Sequence, residues 1–513
     1  MGSANRINVI RMHIKNANLL YKMQLQNMSS VKGASEGKDA GVRISQFLES
    51  VFSHPDVSVL SSESRSRAFK EFYSGLNMDE KLQFLKVLSS HYGVNQDTVV
   101  NVAKNVTQVQ ERGDAILLKV EERLRNALIP RYQVLFGQIG RFEGGVKFLV
   151  DLRADLLHHL GSVTSDHDAA FLRALNVSLR DLLSLWFSVG FLNLQRITWH
   201  SPCDMVQKIS DYEAVHPIRS WTDLKQRVGP YRRCFVFTHS SMPREPVVVL
   251  HTALCSEISS TIHSIIRHQA VHNQTEKSKG EKMEPVSTET EDPGQITTAV
   301  FYSITSTQRG LQSVDLGNYL IKQVVRELQA EFPRLNQFSS MSPIPGFREW
   351  LIGEINKQSH NEGESKRNLL TEEECESLKL FLENKKQSIY DILKKIIVDH
   401  SWVNNEQIGL IIRKPLMRLC ARYLYVERRR GFALNPVANF HLGNGAVIWR
   451  LNWMADVSIR GLTQSCGLMV NYRYFLDTTE DNSKKYLENH DIQASQQIKD
   501  LTDFQTALES QKL

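Results

Sequence analysis

The stretch NPVANFHLGNGAVIWRLNWMADVSIR, from Asn435 to Arg460, decides how the rest of this chain is interpreted. It begins as an amide-rich loop containing Pro436 and carries a single histidine, His441. A Gly-Asn-Gly turn signal follows at 443–445, and apolar and aromatic residues then recur at every second position through 447–453. This alternation predicts a strand. A histidine beside a turn at the mouth of a buried strand is well placed to meet a ligand, although many lone histidines are structural.

The second informative stretch predicts a strand, a loop and a helix in that order. The strand covers 299–304 (AVFYSI), the polar loop covers 305–312 and contains Gly310, and an amphipathic helix begins at about Ser313. A loop that leads into a helix start can aim free backbone N–H groups at a phosphate. The alternative is an ordinary strand-to-helix connection with Gly310 as its turn. Asp315 would repel a pyrophosphate nearby, so the spacing leaves both interpretations open.

The third stretch is Ser-Pro-Ile-Pro-Gly-Phe, which begins at Ser342. Pro343 and Pro345 restrict the backbone and Gly346 permits a sharp turn, so this rigid loop can hold a hydroxyl group in place. The alternative is that Ser342 merely starts a turn. The sequence has no Gly-x-Ser-x-Gly elbow and no acid in triad spacing, so an acyl-enzyme serine is not predicted.

Four long motifs in one order resemble malonyl-CoA decarboxylase, and the likeness runs from about Leu192 to Tyr474. These motifs are GPYRRCFVFTHSSMPREPVVVLH (229–251), FYSITSTQRGLQSVDLGNYLIK (301–322), FSSMSPIPGF (338–347) and the stretch at 435–460. The resemblance implies a catalytic domain of the GCN5-related N-acetyltransferase fold, with Ser342 and His441 as the catalytic, substrate-contacting pair. It also implies an acyl-CoA-binding segment made of Gln312, Ser313, Val314, Asp315, Leu316, Gly317 and Asn318. The implied reaction converts malonyl-CoA to acetyl-CoA and CO₂ without any cofactor or metal.

That reaction requires little from the protein. Loss of CO₂ from a malonyl thioester leaves an enolate, which hydrogen-bond donors stabilise and a positioned acid of near-neutral pKa protonates. We expect His441 to supply this proton, while Ser342 hydrogen-bonds the substrate carboxylate or His441. Asn435, Asn439 and Tyr474 are candidates for orienting the pair.

Composition limits the classes of partner. The 513 residues carry a net charge of +6, with 41% hydrophobic and 23% charged residues. These values suit a soluble globular protein with an anionic small ligand, and the dispersed basic residues do not predict nucleic-acid binding. No apolar run approaches the ~20 residues that span a bilayer. The six cysteines lack CxxC spacing, and adjacent His158 and His159 point to different helix faces, so no metal is predicted.

The expected architecture is an N-terminal all-α helical bundle followed by an α/β catalytic domain. The first 35 residues contain no Asp or Glu, so residues 1–38 are expected to be a mitochondrial transit peptide or, alternatively, a disordered basic tail. Residues 39–195 are expected to form a helical, oligomerising domain, and residues 196–513 the acyl-CoA-binding catalytic domain. The polar segments 273–295, 357–374 and 477–491 are expected to be surface insertions. The final Gln511-Lys512-Leu513 is an imperfect peroxisomal signal, so mitochondrial matrix, peroxisome and cytoplasm all stay open. A homo-oligomer, a tetramer by the resemblance, is expected.

Two other functions fit the same features. An N-acyltransferase of the same fold would need an acceptor amine and would not release CO₂. A non-catalytic interaction protein would bind malonyl-CoA without consuming it.

Overall fold

The computed structural model describes residues 39–53, 59–109, 113–266, 291–314, 319–360, 369–379 and 388–510. The proposed transit peptide and the C-terminal Gln-Lys-Leu lie outside these ranges. The chain divides into two compact units. The first comprises Met1–Asn193, Thr238–Glu245 and Gln308–Leu316, and the second comprises Leu194–Phe237, Pro246–Thr307 and Gly317–Leu513.

The first unit is mainly helical. Its helices are α1 (Asp39–Phe52), α2 (Val59–Ser74), α3 (Met78–His91), α4 (Gln96–Val109), α5 (Asp114–Ala127), α6 (Arg131–Ile139), α7 (Gly145–Leu160) and α8 (Asp166–Trp186). Side-chain caps fix several starts: Asn77 and Glu80 form a capping box on α3, and Ser165 accepts from the Asp168 N–H on α8.

Apolar residues at three- and four-residue spacings form the core of this unit, as the sequence predicts. Leu149, Leu152 and Leu156 of α7 and Leu172, Leu175 and Leu179 of α8 are all fully buried. On α5, Val120 is buried, while Leu128, just past the helix end, is 51% exposed. None of the residues of α4 is buried. Among the described residues, the α4–α5 pair therefore keeps apolar side chains exposed.

The second unit alternates helices and strands. Its helices are α9 (Cys203–Tyr212), α10 (Trp221–Arg227), α11 (Ile262–Ile266), α12 (Tyr319–Glu331), α13 (Phe347–His360), α14 (Glu372–Lys379), α15 (Ile389–Asp399), α16 (Glu406–Tyr425), α17 (Pro436–Gly443), α18 (Ile459–Ser465), α19 (Thr479–Asn489) and α20 (Gln496–Ser510). Among the described residues, no helix is long and apolar enough to cross a membrane.

One mixed sheet organises these helices. Its strands are β1 (Leu192–Ile197), β2 (Arg232–His239), β3 (Met242–Cys255), β4 (Thr298–Ser306), β5 (Gln337–Ser340), β6 (Ser342–Pro343), β9 (Val447–Asn452) and β10 (Met469–Tyr474), while β7 (Arg428–Arg429) and β8 (Phe432–Ala433) form a separate pair. The order is β1-β2-β3-β4-β5-β10-β6, and β9 also pairs with β10. Pairing is antiparallel from β3 to β4 and parallel from β4 to β5. Strand β10 is the partner of β5, β6 and β9 alike.

The parallel pair of β4 and β5 separates part of the way along β4. Its register runs from Thr298–Gln337 to Phe301–Ser340, and the Met341 N–H donates to the Phe301 carbonyl at 2.9 Å. Strand β4 continues to Ser306, while the neighbouring chain passes into β6, which pairs with β10. Within the described residues, β4 therefore continues past its pairing with β5 through residues 302–306, and we call this stretch of strand edge the β4 notch.

Several sequence expectations need correction. His441 lies on helix α17 and not on a loop, because Asn435 and Pro436 together start a helix that is too short for periodicity to reveal. Ser313 has a positive φ of 62°, which is incompatible with a helix, and α12 begins at Tyr319. Much of the segment expected as a polar insertion at 477–491 is helix α19. Ser342 itself is in a short strand, although Gly346 has the positive φ expected of a turn.

Candidate active site

A serine and a histidine from distant parts of the chain meet inside the second unit. The Oγ atom of Ser342 lies 2.9 Å from Nε2 of His441, a hydrogen-bonding distance, although 99 residues separate them in the sequence. Ser342 is 5% exposed and His441 is 3% exposed. The two residues that the sequence singled out are therefore brought into direct contact in a nearly dry environment.

His441 lies on helix α17, and contacts at the first turn of this helix fix its position. The side-chain oxygen of Asn435 accepts from the Ala438 N–H at 2.9 Å, and Pro436 occupies a first-turn position where no N–H is needed. The side-chain amide of the same asparagine donates to the Pro345 carbonyl at 2.8 Å. Asn435 thus joins the histidine helix to the proline segment that follows Ser342. It orients the pair indirectly, through the backbone of both segments.

Strand β10 supplies the remaining contacts of the imidazole. The Tyr474 hydroxyl lies 2.7 Å from Nδ1 of His441, and the Tyr472 ring stacks on the imidazole at 4.4 Å between centroids. Val470 of the same strand pairs with Ser342 in the sheet. Tyr472 and Tyr474 contact the imidazole from one face of β10, because side chains two apart share a strand face, and Val470 sets the sheet register of Ser342. Asn439, by contrast, accepts a hydrogen bond from the Tyr486 hydroxyl at 2.6 Å.

Burial keeps the pair uncharged. The dry surroundings of His441 lower its pKa to about 3, so the imidazole is neutral at physiological pH. Burial also raises the pKa of Tyr474 above its usual value, which keeps the phenol protonated. The atom in contact with Nδ1 is a neutral phenol oxygen, where a hydrolase triad would place a carboxylate. The acid of near-neutral pKa that the sequence led us to expect is therefore not His441 as it stands in this fold, because its pKa is about 3.

A further hydroxyl group, which the sequence argument missed, extends the pair. Ser340 Oγ lies 2.8 Å from Ser342 Oγ, so Ser340, Ser342, His441 and Tyr474 form one continuous hydrogen-bonded chain. Two patterns could have revealed it. Ser340 and Ser342 are two residues apart in FSSMS, and Tyr472 and Tyr474 are two apart in NYRY, the spacing at which side chains of an extended segment point to the same side.

Part of the expected acyl-CoA segment falls in the first unit. Gln312 and Ser313 are exposed and Val314 is buried, while Asp315, Leu316, Gly317 and Asn318 lie outside the described residues. Gly310 is needed for close packing and not for a turn. A Cβ atom on it would lie 1.8 Å from the Val150 carbonyl oxygen of α7, and Arg153 donates to the Gly310 carbonyl.

Within the described ranges, no group of three or more His, Cys, Asp or Glu residues could hold a metal ion. The cysteines there are free thiols.

The fold and the contacts of the serine–histidine pair indicate a class of enzyme. A buried serine–histidine pair with a phenol in place of the triad acid suits an enzyme of proton transfer and not an acyl-enzyme hydrolase. Residues 190–512 match the malonyl-CoA decarboxylase C-terminal domain, and residues 92–187 match the N-terminal domain of the same family. The chain belongs to the malonyl-CoA decarboxylase family.

Relatives and solved structures agree with this assignment. The mitochondrial malonyl-CoA decarboxylase of Mus musculus is 49% identical over 442 residues, covering 85% of both chains. That of Anser anser anser is 47% identical and covers 85% of this chain and 83% of its own. The crystal structure of malonyl-CoA decarboxylase from Rhodopseudomonas palustris matches with a TM-score of 0.71 at 30% identity, over 89% of this chain and 98% of its own. The enzyme from Agrobacterium vitis matches with a TM-score of 0.72 at 31% identity, over 90% and 99%.

These findings confirm the resemblance, the class of enzyme and the architecture expected from the sequence. The chain is a lyase of the decarboxylase type, with a helical region followed by an α/β region.

Proposed function

We propose that this protein converts malonyl-CoA to acetyl-CoA and CO₂, with Ser342 and His441 as its catalytic pair. The observation that carries the proposal is the 2.9 Å contact between Ser342 Oγ and His441 Nε2 inside a chain of this family. The pair is buried, neutral and next to the β4 notch, so it can act on a group that enters the sheet from that side.

The β4 notch suits the extended arm of an acyl-CoA. A strand edge that has lost its neighbour offers backbone N–H and C=O groups to any extended partner. The pantetheine arm of CoA contains two amides and can align with residues 302–306 of β4. Ser342 follows the point of separation by two residues, which would bring the acyl end of such an arm to the catalytic pair. We further propose that the segment Gln312–Asn318 contacts the CoA moiety.

Loss of CO₂ is driven by electrostatic stabilisation. The bond between the carboxylate carbon and the α-carbon breaks, and its electron pair moves into the thioester to form an enolate. Donors directed at the developing oxyanion lower this barrier, and a dry site strengthens them. Backbone N–H groups at the notch and the hydroxyl groups of the serine–histidine chain are the donors that we assign to this role.

The enolate carbon then receives a proton through the pair. The negative carboxylate of the bound substrate raises the pKa of the neighbouring imidazole, so His441 takes one proton from solvent at Nε2. Ser342 donates its hydroxyl proton to the carbon and recovers one from His441 Nε2. One proton is consumed, the former C–C electron pair becomes a C–H bond, and both residues return to their starting states.

The function is tested by incubating the purified full chain with malonyl-CoA alone and following the products by mass. We expect acetyl-CoA and CO₂ in equal amounts, without an added acceptor. Turnover that appears only when an amine acceptor is supplied would support the N-acyltransferase alternative. Malonyl-CoA that is bound tightly and recovered intact would support the non-catalytic alternative.

We propose that residues 39–195 act as the oligomerising domain and residues 196–513 as the catalytic domain, and that the protein is a homo-oligomer, a tetramer by the resemblance. The support is the α4–α5 pair, on which Leu118 is 63% exposed and which is followed by the half-exposed Leu128. Apolar surface of this kind commonly marks an interface.

Changing both Leu118 and Leu128 to glutamate should lower the molecular mass of the protein measured by light scattering. Leu410→Glu, at a 64% exposed position in the second unit, should leave that mass unchanged. An unchanged mass in the double variant would contradict this interface.

For location, we propose the mitochondrial matrix. The relatives from mouse and goose are named mitochondrial, and residues 1–38 have a transit-peptide composition. Import of the full chain by isolated mitochondria, with loss of an N-terminal piece, would test this. Import by peroxisomes that depends on the last three residues would instead favour the peroxisomal alternative.

A further inference from the structure

One backbone group determines which member of each hydrogen bond in the Ser340–Ser342–His441–Tyr474 chain donates and which accepts. A hydroxyl group can donate or accept, so Ser340, Ser342, His441 and Tyr474 could be linked in either direction. The Tyr472 N–H breaks this symmetry, because a backbone N–H can only donate, and it lies 3.3 Å from Ser340 Oγ. Ser340 Oγ is therefore already an acceptor, and its hydroxyl proton needs an acceptor of its own.

Among the described residues, the contact available to that proton is Ser342 Oγ, at 2.8 Å. Ser340 is 1% exposed, so leaving its proton without an acceptor would be costly. Ser342 accepts from Ser340 and must then direct its own proton at Nε2 of His441. A neutral imidazole carries one N–H, which is left at Nδ1 and donates to the Tyr474 oxygen.

We propose that Ser340 is a positioning residue that sets this direction: it keeps His441 in the Nδ1–H form, with Nε2 open to receive the catalytic proton, and leaves the Tyr474 hydroxyl proton free for a substrate oxygen. In the opposite direction the unpaired proton would be that of Ser340, enclosed between strands. In the proposed direction it is that of Tyr474, which is also buried but whose ring contacts Phe301 where β4 and β5 separate, so a substrate at the β4 notch would supply its acceptor.

The surroundings of Ser340 fix it firmly enough for this role. The side-chain amide of Asn471 donates to the Ser340 carbonyl at 2.9 Å, and its oxygen accepts from Arg450 at 3.1 Å and from Asn452 at 2.8 Å. A β-bulge interrupts the β9–β10 register between Asn471 and Tyr472. Bulges redirect neighbouring groups, and this one lies next to the Tyr472 N–H that binds Ser340 Oγ.

The proposal rests on the proposed function for its effect on catalysis, but the form of the imidazole can be measured without any substrate. The form that receives a proton at Nε2 and returns it through Ser342 is the Nδ1–H form, so the resting enzyme is ready for the next cycle. Reversing the chain would place the resting proton at Nε2 and block this route.

The test compares Ser340→Ala with Ser339→Ala. Ser339 is its fully buried neighbour, and its hydroxyl binds the Tyr472 carbonyl at 3.1 Å, so both changes remove one buried hydroxyl group that binds the backbone of Tyr472. We expect Ser340→Ala to lower kcat roughly 10- to 100-fold with little change in KM, because the pair loses its alignment. Ser339→Ala should lose much less, and Ser340→Thr, which keeps the hydroxyl group, should recover most of the rate.

Nitrogen-15 NMR of histidine-labelled protein gives the independent readout, and the spectrum of His441→Gln identifies the signal. The unsubstituted protein should show His441 protonated at Nδ1, and Ser340→Ala should show a population protonated at Nε2. The proposal is overturned if the unsubstituted protein is protonated at Nε2, if Ser340→Ala keeps the Nδ1–H form, or if both alanine variants lose the same activity. If malonyl-CoA is not decarboxylated at all, the proposed function fails while the NMR result still stands by itself.

Discussion

Replacing His441 with alanine is expected to lower kcat for malonyl-CoA by about 10²- to 10⁴-fold, the range that a positioned proton-transfer group contributes. The imidazole contacts Ser342 on one side and Tyr474 on the other, so its loss breaks the chain in the middle. CoA affinity should stay within a few-fold, because the imidazole is 3% exposed and enclosed by side chains of its own unit. Steady-state kinetics and CoA titration on the same preparation measure both quantities.

His216→Ala is the matched control for the loss of a buried imidazole. His216 is 8% exposed in the same unit, its pKa is likewise lowered by burial, to about 4, and it lies outside the serine–histidine chain. We expect near-normal kcat in this variant when it is folded. A His441→Ala protein with normal turnover at saturation and lost CoA affinity would make His441 a binding residue and not a proton-transfer group.

Replacing Arg418 with methionine is expected to lower the free energy of unfolding of the second unit by about 3–5 kcal/mol, the cost of leaving one member of a buried ion pair alone. Arg418 of α16 donates to both carboxylate oxygens of Glu374 on α14, at 2.9 and 2.6 Å, and to the Leu369 carbonyl. Arg418 and Glu374 are 5% and 3% exposed. Methionine keeps much of the packing volume but leaves the carboxylate desolvated. Chemical denaturation followed by near-ultraviolet circular dichroism would measure the loss.

The same two helices provide the control. Lys414 pairs with Glu373 at 2.6 Å, four residues before Arg418 on α16 and one residue before Glu374 on α14, but these side chains are 55% and 72% exposed. Exposed pairs contribute roughly 0–1 kcal/mol, so Lys414→Met should have little effect. Adding Glu374→Leu to Arg418→Met should restore much of the stability, because the unpaired charge is removed. Equal losses for Arg418→Met and Lys414→Met would show that burial does not govern this contact.

The sequence was enough to predict which two residues form the candidate site, but not the secondary structure that carries them. Ser342 and His441 stood out because they lie in long motifs that resemble one family. The same passages misled the prediction of local structure. The residues from Pro436 to Gly443 make a helix of eight residues, too short to show a helical period and rich in residues typical of loops. Asn435, read as part of a loop, is the cap that starts this helix.

The protonation state could not be predicted, because it depends on burial. Histidine has an ordinary pKa near 6.5, which suggested an acid ready for use at neutral pH. Residues from α17, β6 and β10 exclude water from the imidazole and lower its pKa to about 3. In the mechanism that we propose, the charge of the bound substrate raises this pKa so that His441 takes up a proton.

The sequence by itself determined the family, the order of a helical region followed by an α/β region, and the two side chains that meet at the site. These depend on long motifs and on apolar periodicity, which are properties of neighbouring residues along the chain. Only the tertiary structure decided which atoms are in contact. Strand β10 brings Tyr472 and Tyr474 onto His441 and pairs with the strand of Ser342, and Ser340 joins the chain from β5. Such contacts depend on strand register and on the exclusion of water, which arise when distant segments pack together.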